Sequence, residues 1–398
     1  MLTFGKSDPV ISVMNLTAKT LFGLENVLAK ELEELGASAI RPVNRAVLFT
    51  GGKDTLYRIN YCARTALSVL MPVGEFRIAS KEELYSKAHK ISWSDFMDPD
   101  NTFSVVPVVN SPLFGHTGYP GLVVKDAIAD FFRKKNGIRP SVDTSDPDLI
   151  VNLHISNDRV TVSLDSSGLA LYKRGYRLQQ GPAPLNEVLA AGILKLSGWN
   201  GSDPVLDPMC GSGTIPIEAA MIAYNIPPGK FRNSFGFSRW KDFDIRLFGR
   251  IKDEADSAIQ ISPVNISASD ISERAVSITA ANIEKAGLSG HVSVGVADFR
   301  NCKSSFTNGY VFLNPPYGQR IKPEDIAGLY SMIGSGLKHN FPGNKAWIIT
   351  SEKEYLKNIG LKPVTKYKLF NGAIECTLTG YELFKGSRKK PKENKSTE

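Results

Sequence analysis

A chain of 398 residues with 42% hydrophobic content is long enough for two or three domains with cores of their own. No apolar run approaches the roughly 20 residues that cross a bilayer. The N-terminus, MLTFGKSDPVISV, has neither the basic region nor the long apolar stretch of a signal peptide, so a cytoplasmic protein without a membrane partner is expected. The four cysteines and five histidines are scattered without a C-x-x-C pair, which argues against a disulfide framework and against a metal site. The formal charge of +8 fits an anionic partner, and it is unevenly spread. Residues 1–165 hold 18 basic against 19 acidic residues; residues 166–398 hold 30 against 21.

In chain order, Thr17 to Leu35 reads as an amphipathic helix, with Leu21, Leu24, Leu28, Leu32 and Leu35 at helical spacing, and Ala46 to Thr50 as a strand. A second unit begins near Phe76 and holds a helix from Leu122 to Lys135. In it DLIVNLHISNDRVTVSLDSSG forms two strands around an Asn157-Asp158 turn. These segments carry no cofactor motif and read as an α+β structural or binding module. From Gly181 onward strand-like and helix-like segments alternate. The helices are expected at Ile215 to Ala223, Glu273 to Ala286 and Ile326 to His339. Two final strands, Lys366 to Phe370 and Ile374 to Phe384, flank an Asn371-Gly372 turn. Such alternation implies a mainly parallel, doubly wound sheet, here closed by an antiparallel hairpin.

The strand-to-helix corner DPMCGSGTIPIEAA, Asp207 to Ala220, exposes bare backbone at Gly211 and Gly213 beside a helix N-terminus. A dinucleotide fingerprint would place glycine where this chain has Pro216, and a Walker-type loop would follow its glycines with Lys-Ser or Lys-Thr. S-adenosylmethionine, which carries adenosine but no phosphate, fits the corner. Asp207, Cys210, Gly211, Gly213 and Thr214 are expected to face it. Asp270, with Ile271 after it, ends the next strand and would accept from ribose hydroxyls. Asp298 would accept from the adenine amino group while Phe299 packs against the ring. Three acids in series at successive strand ends are seldom supplied by chance.

FLNPPYGQR, Phe312 to Arg320, holds the most specific chemistry. The lone pair of an exocyclic or amide amine is delocalised and must be aimed at the methyl donor. The Asn314 side-chain oxygen and the Pro315 main-chain oxygen would accept its two hydrogens, Pro316 would stiffen the loop, and Tyr317 would stack on the base, a contact worth roughly 1–3 kcal/mol. An N-P-P-Y loop also suits DNA adenine-N6 or protein glutamine-N5 methyl transfer, and an RNA-binding assembly factor that lost catalysis is the reading from another class. That factor would show damage at the glycines, acids or Asn314, and none is visible.

With these motifs in hand, the chain resembles the THUMP-domain RNA methyltransferases, most closely the bacterial 23S rRNA (guanine-N2) enzymes. LFGLENVLAKELEELGA matches the ferredoxin-like segment, SVDTSDPDLIVNLHI the THUMP domain, and LYKRGYR, APLNEVLAAGILKLSGW, LDPMCGSGTIPIEAAMIA, NPPYGQR and KLFNGAIEC the further signatures, in order. The resemblance implies a ferredoxin-like segment at 1–75, a THUMP domain at 76–165 and a Rossmann-like methyltransferase with a seven-stranded sheet at 166–385; the basic tail 386–398, outside the resemblance, reads from its composition as a solvated, disordered end. It implies S-adenosylmethionine as cofactor and RNA as partner, 23S rRNA before tRNA. Asn186 would flank the cofactor, and Asn314 to Tyr317 would hold the base. Lys173, Arg174 and Arg177, a basic cluster in the segment joining the halves, are expected to hold RNA phosphates.

Overall fold

The computed structural model describes residues 13–179, 184–316 and 323–384. Leu16 and Ala18 are buried while Asn15, Thr17 and Lys19 are not, a period of two that makes Met14–Lys19 a strand, β1. The helix expected from Thr17 therefore starts late, at α1 (Glu25–Glu34). The leucine stripe is real, with Leu28 and Leu32 buried, but Gly23 at φ 88 ends the extended run before it.

There follow β2 (Ser38–Val43), β3 (Ala46–Gly51), α2 (Lys53–Cys62), β4 (Ser68–Arg77), α3 (Lys81–His89), β5 (Phe103–Asn110), α4 (Tyr119–Asn136), β6 (Leu149–Ser156) and β7 (Arg159–Asp165). They form one seven-stranded sheet in the order β2-β3-β1-β4-β7-β6-β5. β4 is the join: Ser68 to Leu70 pair antiparallel with β1, and Leu70 to Arg77 with β7. The boundary expected near Phe76 thus falls inside a strand. Asn157, at φ 53, makes the expected β6–β7 turn.

The chain divides into two compact units, and the first comprises the chain up to Arg174 together with Pro227–Ala258. The second segment carries α7 (Ile245–Ser257) and an aromatic group unforeseen in the sequence. Phe237 stacks on Tyr57 at 4.3 Å, Phe248 meets Tyr61 edge-on at 6.0 Å, and the Tyr61 hydroxyl donates to Asp256 at 2.9 Å.

The second unit runs from Gly175 to Ile226 and from Ile259 onward. It contains α5 (Glu187–Leu196), β8 (Val205–Asp207), α6 (Thr214–Ala223), β9 (Ile266–Asp270), α8 (Glu273–Lys285), β10 (Val292–Val296), β11 (Tyr310–Leu313), α9 (Pro323–Asn340), β12 (Lys345–Thr350), β13 (Thr365–Asn371) and β14 (Ile374–Glu382). The sheet order is β10-β9-β8-β11-β12-β14-β13. The first five strands are parallel and β14 runs antiparallel to both its neighbours, which is the expected closing hairpin, with Gly372 at φ 65 in its turn. The order reverses at β8, so the carboxyl ends of β8 and β11 border the switch point where open α/β sheets bind ligands.

Candidate active site

Gly211 and Gly213 adopt φ 57 and φ 79, left-handed conformations that a side chain disfavours. They need glycine for different reasons. A Cβ on Gly213 would lie 2.6 Å from the Thr279 methyl, whereas one on Gly211 would meet nothing, leaving bare exposed backbone. From α8, Thr279 donates to the Gly211 carbonyl at 3.0 Å and Asn282 to the Ser212 carbonyl at 3.0 Å, so the corner is bolted from below. Neither residue was foreseen; the signal was two polar residues at i, i+3 among the buried positions of α8.

Of the three strand-end acids, Asp207 is 1% exposed and accepts one backbone bond, from Met209 at 3.2 Å. Burial pushes its carboxyl up to about 8, and the nearby charge of Asp270 adds to the rise. Asp270 accepts from Gly211 N at 3.0 Å and Ser272 N at 3.0 Å, tying the end of β9 to the corner. Ile271 follows, 67% exposed, an apolar side chain standing free where a ring could lie. Asp298 is held by the Arg300 guanidinium and N–H, which keep its carboxyl below the usual range. Arg300 contacts each of its oxygens twice, so an adenine amino group would have to share or displace that guanidinium. Phe299 departs from expectation: its ring is buried, stacked on Phe341 at 5.8 Å and pressed against Gly336, so it packs in the core and not on a ligand. Cys210 is buried beside Thr279, and burial pushes its thiol up.

Asn186 caps α5, its side-chain oxygen accepting from Val188 N at 2.9 Å and Leu189 N at 3.3 Å. Its own N–H donates to Asn371 at 3.2 Å, so the hairpin turn is tied to the start of that helix. At the end of β11, the Asn314 side-chain oxygen is buried and has no hydrogen-bond partner among the described residues. An orphaned acceptor of this kind costs about 1–3 kcal/mol unless a ligand supplies the donor. Pro315 is buried and Pro316 half-buried; Tyr317 lies outside the described residues.

Two of the three residues expected to hold phosphates are structural. Arg174 is 1% exposed and donates to the carbonyls of Leu171 at 2.9 Å and Arg64 at 2.5 Å. Arg177 is paired with the buried Glu187 at 2.7 Å and donates to Ser212 at 3.0 Å, Thr214 at 2.9 Å and the Leu185 carbonyl at 3.1 Å. A guanidinium fork with every arm engaged inside the fold is not offered to a polyanion. Lys173 alone is exposed.

The residues fit S-adenosylmethionine: exposed glycine backbone, a buried acid with a single partner, a strand-end acid for hydroxyls, and an apolar side chain beside it. A signature described as "RMKL-like, methyltransferase domain" matches residues 174–380, the THUMP domain matches 79–165, and the RlmL ferredoxin-like domain matches 15–70. A Synechocystis sp. protein provisionally named RNA methyltransferase slr0064 is 35% identical over 383 residues, 94% of this chain and 100% of that one. The ribosomal RNA large subunit methyltransferase K/L of Cellvibrio japonicus is 38% identical over 375 residues, 91% of this chain but 50% of the relative, so the chain spans about half the length of the K/L proteins. The crystal structure of SMU.472, provisionally named a methyltransferase and complexed with SAH, superimposes with a TM-score of 0.85 at 30% identity, covering 94% of this chain and 99% of that one. The chain belongs to the THUMP-domain, RlmL-like methyltransferases and uses S-adenosylmethionine.

Proposed function

We propose that this methyltransferase acts on RNA and transfers the methyl group to the exocyclic N2 amine of a guanine in 23S ribosomal RNA. The observation that carries the reading is Asn314. Its buried oxygen at the switch point, without a partner among the described residues, is an acceptor for an N–H, and the next residue, Pro315, offers a carbonyl but no competing donor. Two acceptors engaging both hydrogens of a planar amine would turn its nitrogen lone pair toward the cofactor side. The sulfonium is a good leaving group, so positioning supplies most of the acceleration and no strong base is required. The THUMP match and the names of the K/L relatives support RNA, and ribosomal RNA in particular. The proposed division of labour assigns RNA shape to the THUMP region and chemistry to the second unit. The domain limits 1–75, 76–165 and 166–385 belong to the same proposal, amended by the grouping of 227–258 with the first unit.

The test is nucleoside mass spectrometry of ribosomal and transfer RNA from cells with and without the gene, complemented by the wild type or Asn314→Ala. We expect N2-methylguanosine to disappear from 23S RNA and to return with the wild type only. Loss from transfer RNA instead would move the substrate, and loss of methyladenosine would overturn the guanine assignment.

A further inference from the structure

The sheet edge that carries Asn314 differs in charge on its two sides. On one side the ends of β8, β9 and β10 present or lead into Asp207, Asp270 and Asp298. On the other side β12 ends at Thr350 and leads to Lys353, and because Thr350 pairs with Thr377 of antiparallel β14, the β13–β14 turn lies at this same edge. There Lys353 and Lys368 share Glu375, at 3.6 Å and 2.7 Å. Lys366, Lys368 and Phe370 alternate along β13 and so share one face, with the Lys368 ammonium 5.5 Å from the Phe370 ring centroid. Lys353 and Lys368 are 67% and 54% exposed, and Lys366 is exposed too. Lys353 has Glu352 and Glu354 beside it in the chain, but along β13 the two lysines face a single glutamate, Glu375, and with Phe370 among them they have the composition of a single-strand binding face.

We propose that this face of the β13–β14 hairpin seats the single-stranded RNA flanking the target nucleotide, with Lys353, Lys366 and Lys368 on its phosphates and Phe370 beneath a neighbouring base. The inference rests on the reading of the chain as an RNA methyltransferase. A strand leaving Asn314 toward β9 and β10 would run over three carboxylates and the cofactor with no lysine among them; the opposite direction reaches the exposed lysines of β13, where acids and bases are mixed. β13 lies three strand spacings from β11, about 14 Å. That exceeds the Debye length of about 8 Å at physiological salt, so the lysines act by contact on flanking nucleotides and not at a distance on the target. The hydrogen bond from Asn186 N to Asn371 fixes the hairpin to the cofactor side, which holds the track in register with the methyl donor.

The experiment compares full-length wild type, a Lys353→Ala/Lys366→Ala/Lys368→Ala variant and Glu375→Gln, each bound to a mixed-sequence single-stranded oligoribonucleotide across a salt series, with cofactor affinity read in parallel. For single strands each phosphate contact contributes about 0.7 to the slope of log affinity against log salt, so the triple variant should lose about 2 in slope and more than tenfold in affinity. Glu375→Gln, which unmasks the lysines, should tighten binding and steepen the slope. A merely structural hairpin would not give these opposite signs. Unchanged slopes in both variants would overturn the proposal. If the wild type methylates RNA while the slopes stay equal, the seat is wrong and the reading stands; if the slopes move but no RNA is methylated, the face binds RNA but the reading falls, and with it the assignment of that RNA as the flank of a target nucleotide.

Discussion

Arg177→Ala should weaken cofactor binding through the loop it holds and not through RNA. The side chain is 14% exposed and its partner Glu187 is 6% exposed, so the variant strands a buried carboxylate. Removing one member of a buried pair costs about 3–5 kcal/mol when the other stays charged. The released Ser212 and Thr214 hydroxyls flank Gly213, and we expect at least tenfold weaker S-adenosylmethionine binding, about 1.4 kcal/mol. Burial already raises the Glu187 carboxyl, and Arg177 is what opposes the rise. Without the arginine the folded state holds its proton to higher pH. A carboxyl raised on folding makes stability fall as pH climbs from the ordinary carboxylate range through the folded value. The deficit of the variant against wild type should therefore be larger at alkaline pH than in the ordinary carboxylate range. Arg177→Ala/Glu187→Gln should recover much of it, and Arg177→Lys, which keeps the charge but loses the fork, should fall between. Calorimetric cofactor titrations and chemical denaturation in both pH ranges check this. Unchanged cofactor affinity with a shallower salt dependence of RNA binding would restore Arg177 as a phosphate contact and refute the positioning role.

Gly213→Ala should lower the melting temperature more than Gly211→Ala, because only the former adds the Thr279 clash to the roughly 1–2 kcal/mol of left-handed strain; Thr279→Ser, which removes the clashing methyl, should recover part of the difference, and equal losses would show the packing argument to be wrong. Asp207, its carboxyl pushed up to about 8, should ionise on meeting the positive charge of the cofactor, so binding by the wild type should release more protons than binding by Asp207→Asn below about pH 8. Calorimetry in buffers of different ionisation enthalpy reads that difference; no difference would mean that Asp207 faces no cation.

The second unit was legible because its signals are periodic and local. Short apolar strands alternate with helices bounded by caps such as Ser272 and Asn186, and an Asn-Gly pair marks the last turn. The first unit was harder for identifiable reasons. β1 is six residues long, and a strong leucine stripe that starts at Leu21, two residues past its end, drew the expected helix back over it. β4 serves two half-sheets at once, so no composition change marks a boundary near Phe76. The aromatic residues of 227–258 have no period of their own. What organises them is contact with Tyr57 and Tyr61, over 170 positions away in sequence, and no local pattern encodes that.

In the site, residues whose place follows from backbone position were readable, and those whose surroundings depend on burial were not. Gly211, Gly213, Asp270 and Asn314 stand at strand ends or corners that the alternation of elements fixes by itself. Arg174 and Arg177 look in sequence like Lys173, a cluster of positive charge awaiting an anion. What separates them is a set of partners no window contains: a carbonyl 110 residues back for Arg174, and for Arg177 hydroxyls 35 and 37 residues ahead. Charge density along a chain therefore locates an RNA surface poorly when the fold can turn arginines inward, since a guanidinium satisfies carbonyls and carboxylates as readily as phosphates. Lysine, with a compact and strongly hydrated charge, is seldom buried whole. On that ground the exposed lysines of the β13–β14 hairpin are a better guide to the path of the RNA than the basic run at 173–177.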